Sequence, residues 1–331
     1  MTWKYPFLIL ISLIVTSSCV DRLDTENFAL VADNSQVVID GYISDQPGPY
    51  FVRVFKPSAV DDVLNSRDVI NAKQVTIFDD QGNKEILAGE RGRYYTDPGG
   101  IRGVVGNKYW VEVELLDGRI FKSTPDEIVP SGTVDSVYVE FESNKPLRGP
   151  TEYYFNVFLD ATTGLNSFVR WKYTGIYYIT TQLGGCWSWR YEKGPQVSDG
   201  QVVQDGKFKS VPVGTVRIDE YTFYSKFMVR IEQMSLSREA FDFWKTAADQ
   251  FNSKESLFQP GFGSLPTNIY EVTTNEPALG LFYATSISKK NIFLTKDDVP
   301  VPVPPYTLQI DAPCVNIFAP ASAFRPLDWV E

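Results

Sequence analysis

The chain has 331 residues, of which 31 are basic and 41 acidic, and its formal net charge is −10. This acidic balance argues against nucleic acid as a partner, because phosphate backbones are bound by clustered lysine and arginine. The sequence contains no histidine, which excludes a Ser-His-Asp or Cys-His catalytic site and any metal site that needs imidazole.

Residues 1–18 have the pattern of a lipoprotein signal peptide. Lys4 precedes an apolar run from Phe7 to Val15, and small residues then lead into Cys19. The run is too short for a permanent transmembrane helix but suits the core of an export signal. We expect Cys19 to be acylated, with fatty acids such as palmitate, because two or more chains attach a protein stably to a membrane. An ordinary secretory signal is the alternative.

Residues 19–34 are predicted to be a tether between the anchor and the folded part. Asp21, Asp24 and Glu26 lie close behind Cys19. An acidic stretch at this place resembles the surface-export signals of Bacteroidota lipoproteins. A merely solvated leader is the alternative interpretation.

Residues 35–124 alternate short β runs with turns. Tyr109, Val111 and Val113 recur with period two, which places them on one face of a strand. Asp117 and Gly118 then supply a two-residue hairpin turn. About seven strands in this length predict a β-sandwich of immunoglobulin-like or transthyretin-like type.

Residues 133–331 are predicted to form a second, β-rich domain with one amphipathic helix near residues 237–252. Ser237 is the expected N-cap of that helix, and Leu236 and Phe241 can form a hydrophobic staple. The segment 182–212 is interpreted as loop-rich. The overall fold class is therefore mainly β.

Cys186 and Cys314 are the two cysteines that remain once Cys19 is acylated. Exported proteins meet an oxidising compartment, so we expect a disulfide between them. Two buried free thiols are the alternative.

Trp187, Trp189 and Tyr191 beside Cys186 are the candidate ligand-binding residues. Such rings can form a stacking platform for a sugar or a peptide, but a tryptophan next to a disulfide also occurs as core packing. With 41 acidic residues, no pair of carboxylates stands out as a catalytic pair. We expect no enzymatic activity, no cofactor and no metal.

The order of landmarks resembles a family of Bacteroidota outer-membrane lipoproteins, the domain-of-unknown-function 4249 type. The matching residues are Gly41-Tyr42-Ile43, Asp45, Gly48-Pro49-Tyr50, Gly103, Gly106, Tyr109, Asp117-Gly118, Asp135-Ser136-Val137, Cys186-Trp187, Ala240, Phe243-Trp244, Gln250, Leu257-Phe258, Pro260, Asn268-Ile269, Leu279-Gly280, Phe282, Cys314 and Arg325-Pro326-Leu327-Asp328-Trp329. The resemblance implies an outer-membrane location and a TonB-dependent transporter as partner. It implies no reaction.

Together these features predict a surface-exposed outer-membrane lipoprotein, attached through its lipid, that is a ligand-binding or docking accessory of a TonB-dependent transporter. One alternative is a structural or adhesion protein of the cell surface without a small ligand. Another is a hydrolase that uses carboxylates.

Overall fold

The computed structural model describes residues 36–57, 69–164, 167–200, 203–253, 265–307 and 309–330. The predicted signal peptide (1–18), Cys19 and the tether (19–34) lie outside these residues. Within the described ranges, no helix has both the length and the apolar character needed to cross a membrane.

The first nine strands of the described chain precede residue 128. They are β1 (Val38–Ser44), β2 (Phe51–Phe55), β3 (Ala72–Asp79), β4 (Lys84–Ile86), β5 (Ala88–Glu90), β6 (Arg93–Tyr95), β7 (Lys108–Leu115), β8 (Ile120–Ser123) and β9 (Asp126–Glu127).

The later elements include both α-helices of the described chain. They are β10 (Thr133–Asn144), β11 (Glu152–Thr162), β12 (Phe168–Thr181), β13 (Gly184–Tyr191), β14 (Gln196–Asp199), β15 (Lys207–Arg217), β16 (Phe227–Leu236), α1 (Arg238–Ser253), β17 (Ile269–Glu271), β18 (Leu279–Thr285), β19 (Ile287–Leu294), α2 (Cys314–Ile317) and β20 (Ala321–Ser322).

The first β-sandwich packs two sheets around one core. One sheet has the strand order β18-β1-β2-β6-β5, and the other has β17-β8-β7-β3-β4 with β9 beside β7. Tyr109, Val111 and Val113 of β7 are fully buried, as their period-two spacing predicts, and they meet Val75 and Ile77 of β3 in the core. The predicted N-terminal sandwich is therefore present.

Two late strands complete this first sandwich. β18 runs parallel to β1, with Val38 opposite Leu279, and β17 pairs with β8. Both strands fall within residues 133–331, which the sequence pattern assigns to the second domain. A strand's own residues indicate which face it buries but do not specify which sheet it joins. The sequence of β17 and β18 therefore does not indicate that they belong to the first sandwich.

The second sandwich packs a three-stranded sheet, β10-β11-β15, on a larger sheet, β19-β16-β12-β13-β20, in which β14 also pairs with β12. Val157, Leu159, Val229 and Ile231 are fully buried between them. The segment 182–212, interpreted as loop-rich, instead contains β13, β14 and the start of β15. The glycines and polar residues of this segment do not follow the alternating pattern typical of a strand. β13 and β14 form because they pair with the long strand β12.

Helix α1 begins as its sequence predicts. The Ser237 hydroxyl oxygen accepts a hydrogen bond from the Ala240 backbone N–H at 3.2 Å, and Leu236 and Phe241 are both buried. The Phe241 ring stacks on Phe168 at 4.4 Å between centroids. Leu281 of the first sandwich belongs to the same apolar cluster, so α1 covers the junction between the sandwiches.

The disulfide between Cys186 of β13 and Cys314 of α2 is present, with 5.7 Å between the Cα atoms. It joins two segments 128 residues apart. The C-terminal segment is thereby held against the large sheet of the second sandwich.

The two sandwiches are joined at Ser286, the one residue between β18 and β19. The Ser286 backbone N–H donates to the Ser235 hydroxyl at 2.8 Å, and the Ser286 hydroxyl donates to Asp45 at 2.6 Å. Asp45 also accepts the Ile287 N–H at 2.9 Å. A carboxylate of the first sandwich thus binds the chain where it enters the second.

Asp45→Ala should destabilise the fold, because it leaves the Ile287 N–H without its acceptor. It also leaves the buried Ser286 hydroxyl with only a longer contact, at 3.3 Å, to the hydroxyl of Ser131. We expect the free energy of unfolding to fall by about 2–4 kcal/mol, measured by urea denaturation. Asp249→Ala is the control, since Asp249 forms an exposed pair with Lys245 and its loss should change stability by less than about 0.5 kcal/mol. Equal effects of the two substitutions would contradict this role of Asp45.

Asp126 is a second carboxyl group buried at the junction. It accepts the Ala284 N–H at 2.8 Å. Burial raises the pKa of Asp126 from 3.8 to about 6, although hydrogen bonds from Ala284 and Ser237 oppose the shift. The folded protein therefore binds this proton more tightly than the unfolded chain does.

We expect the free energy of unfolding to fall as the pH rises from about 4 to about 6, because the folded state loses its advantage in proton binding over that range. The shift corresponds to about 3 kcal/mol. Asp126→Asn removes the titration but keeps an acceptor oxygen, so the variant should be more stable than the wild type at pH 7.5 and lack this decline. Urea denaturation at pH 4 and pH 7.5 measures both. A variant whose pH profile parallels that of the wild type, as expected for Asp249→Asn, would refute the assignment.

Candidate functional site

A cavity of about 790 Å³ opens between the two sheets of the second sandwich. Its walls come from β12 and β13 of the large sheet, from β11 and β15 of the small sheet, and from the end of α1. Aromatic side chains supply much of the lining: Tyr154, Tyr173, Tyr177, Tyr221, Phe227 and Phe251.

The floor of the cavity depends on two glycines. Tyr173, Gly175 and Tyr177 alternate along β12 and so share one face. A Cβ atom at Gly175 would lie 2.4 Å from Cζ of Phe227 and 2.8 Å from the Tyr173 hydroxyl oxygen, and a Cβ at Gly214 of β15 would lie 2.8 Å from Cδ2 of Tyr173. The absent side chains make room for the aromatic rings.

Arg190 of β13 enters the same cavity opposite Gly175. Its Nη2 donates to the Tyr177 hydroxyl at 2.5 Å, and its Nη1 donates to the Ser188 hydroxyl at 3.0 Å and to the Trp189 carbonyl at 3.1 Å. The guanidinium carbon also lies 5.0 Å from the centre of the Tyr177 ring. These contacts fix the orientation of the guanidinium group.

Two carboxylates line the cavity, and the chain's own donors engage both. Glu192 forms an ion pair with Arg170 and accepts the Tyr173 backbone N–H at 3.2 Å. Asp219 accepts the backbone N–H groups of Tyr221 at 3.1 Å and Thr222 at 2.8 Å. These carboxylates therefore serve to shape the wall.

The Tyr173 hydroxyl differs from the other polar groups of the cavity. The side chain is 4% exposed, and among the described residues its hydroxyl has no hydrogen-bond partner. Burial raises the pKa of Tyr173, with the nearby Arg190 opposing the shift, so the hydroxyl keeps its proton at neutral pH. A buried hydroxyl without a partner costs about 1–3 kcal/mol. Because the protein covers this oxygen almost completely, a bound polar group recovers that cost only after neighbouring side chains shift.

The three residues predicted to bind ligand do not form one platform. Trp187 and Trp189 pack with the buried Ile176 and Met228. Trp187 also contacts Tyr178, at 4.8 Å between ring centroids. This arrangement fits the packing interpretation of Trp189. Trp187 also lines a second cavity of about 510 Å³ beside Trp329, and among the described residues its indole N–H has no hydrogen-bond partner.

Tyr191, in contrast, lies at the cavity, with 56% of its surface exposed. Ligand binding by the three residues stays a prediction.

Sequence reasoning missed Tyr173, Tyr177 and Arg190. The two tyrosines lie in an apolar run that reads as core, and nothing local marks their hydroxyl groups. A signal was available in Arg190, a cation next to aromatic residues in an acidic chain. Over the described ranges, no group of three or more Asp, Glu or Cys side chains is arranged to hold a metal ion.

Comparison with curated proteins gave no match. Residues 23–291 match the model of a family described as a domain of unknown function, DUF4249. The match covers most of the chain, including the first sandwich, the cavity-lining strands of the second and the helix at their junction. The chain therefore belongs to the DUF4249 family.

Proposed function

We propose that this chain is a lipid-anchored protein of the outer membrane, exposed at the cell surface, that binds a small molecule and presents it to a TonB-dependent transporter. The cavity is the observation that carries the proposal. Its volume of about 790 Å³ lies within the range of small-molecule sites, about 300–1,000 Å³.

The lining of the cavity suits ligand binding. Aromatic rings are rigid and cover the apolar faces of a ligand, while tyrosine hydroxyls and Arg190 add directional polar contacts. Ordinary core packing would fill this space with side chains. Here the glycines at positions 175 and 214 let the rings of Tyr173 and Phe227 pack closely at the floor. The space above those rings stays open, and Tyr191 is exposed beside it.

The role of the anchor is to raise the local concentration of the protein beside its partner. A lipid on Cys19 would restrict the chain to the membrane plane, so that a neighbouring transporter meets it often without any new contact surface. The choice of a TonB-dependent transporter rests on the resemblance of the sequence to Bacteroidota lipoproteins.

Affinity purification of the full chain from native membranes tests this function. We expect mass spectrometry to find a TonB-dependent transporter and a bound small molecule in the eluate. Thr215→Trp places a large ring at an exposed position of the cavity wall, so the small molecule should be lost while the transporter is retained.

Lys207→Trp is the matched control, because Lys207 is exposed on the same strand but does not line the cavity. It should retain both partners, and Cys19→Ser should lose the transporter. Recovery of the wild-type chain with neither a transporter nor a small molecule would refute the proposal.

A further inference from the structure

We propose that the cavity selects ligands that carry a carboxylate on a ring-containing body, with Arg190 as the main recognition residue and Tyr173 as a second donor. The inference rests on the proposed ligand-binding function and names the chemical class of the ligand.

The first argument is the charge of Arg190. Ion pairs in the described part of the chain engage the neighbouring arginines: Arg170 with Glu192, and Arg217 with Glu152 at 3.4 Å. Arg190 differs, since among the described residues its hydrogen bonds go to neutral oxygens and no carboxylate lies within 4.0 Å of it. In a chain with ten more acidic than basic residues, this positive charge at a cavity is available for an anion.

The second argument is geometry. Arginine has five N–H donors in a planar group, and the contacts to Tyr177, Ser188 and Trp189 use three of them. Two donors are left for a ligand, which matches the two oxygens of a carboxylate. The protein contacts also hold the guanidinium in place before the ligand arrives, which lowers the entropic cost of binding.

The third argument is the Tyr173 hydroxyl. It lies beside Gly175, the residue paired with Arg190 across the sheet, since a Cβ at Gly175 would be 2.8 Å from that oxygen. The hydroxyl is buried and lacks a partner within the described chain. A phenol hydroxyl can donate its proton to an acceptor, and an anionic oxygen is the strongest acceptor available.

The free donors of Arg190 favour a carboxylate over a phosphate ester. Lys193 and Arg217 also line the cavity and balance the charges of Glu192 and Asp219, so the charge of the lining does not choose between the two groups. The two donors match the two oxygens of a carboxylate and leave the third oxygen of a phosphate without one. The aromatic walls in turn suit a flat ring, such as an aromatic acid or a sugar acid.

Ligand-observed NMR titration of the full-length chain tests the inference. The probes are benzoate, phenylacetate, glucuronate and galacturonate, each compared with its primary amide and with the phosphate ester of the same ring. We expect the carboxylates to bind at least about tenfold more tightly than their amides and also more tightly than the phosphate esters.

Three variants test which residues bind the carboxylate. Arg190→Gln should weaken carboxylate binding by roughly 10- to 100-fold, and Tyr173→Phe by roughly 3- to 10-fold with no loss of stability to urea. Arg217→Gln removes the same charge from the same cavity, but two carboxylates already lie near Arg217, so the affinity should change by less than about threefold.

Equal binding of carboxylates and amides, tighter binding of phosphate esters, or unchanged binding by Arg190→Gln would overturn the inference while leaving the cavity as a ligand site. Failure of every probe to bind the wild-type protein would count against both the inference and the proposed function.

Discussion

Strands β18 and β19 belong to different sandwiches, yet Ser286 alone separates them. A one-residue connection gives the two bodies little freedom to rotate, and the hydrogen bonds of Ser286 to Ser235 and Asp45 restrict it further. Helix α1 packs across the same junction. The cavity of the second sandwich therefore has a fixed position relative to the first sandwich.

Much of the fold could be predicted from short sequence patterns, because strand alternation and helix capping depend on residues close together in the chain. The alternation at Tyr109, Val111 and Val113 specifies a half-buried strand, and the cap at Ser237 specifies where the helix begins. The placement of β17 and β18 in the first sandwich could not be predicted in this way. Their sheet is chosen by packing between segments more than 140 residues apart, for which a single sequence carries no periodic signal.

The candidate site was harder to predict than the fold. Its aromatic residues have the same sequence signature whether they fill a core or line a cavity, and only the open volume beside them in the structure distinguishes the two outcomes. Tyr191 was selected from sequence and does reach the cavity, whereas Trp187 and Trp189 do not line it. Trp189 and Arg190 are neighbours in β13, so their side chains lie on opposite faces of the sheet. The sequence analysis interpreted this segment as a loop, for which no such alternation is expected.

The parallel pairing of β1 with β18 sets an order of assembly that differs from the order of synthesis. Val38 meets Leu279 in this sheet, so the N-terminal sandwich stays incomplete until most of the chain has been made. Pairing across such a distance in sequence is slow, because the entropy of closing a long loop is lost before any stabilising contact forms. During that interval β1 presents an open strand edge, the kind of surface that aggregates unless it is covered. Until β18 has been made, the first strands are therefore open to pairing with other chains.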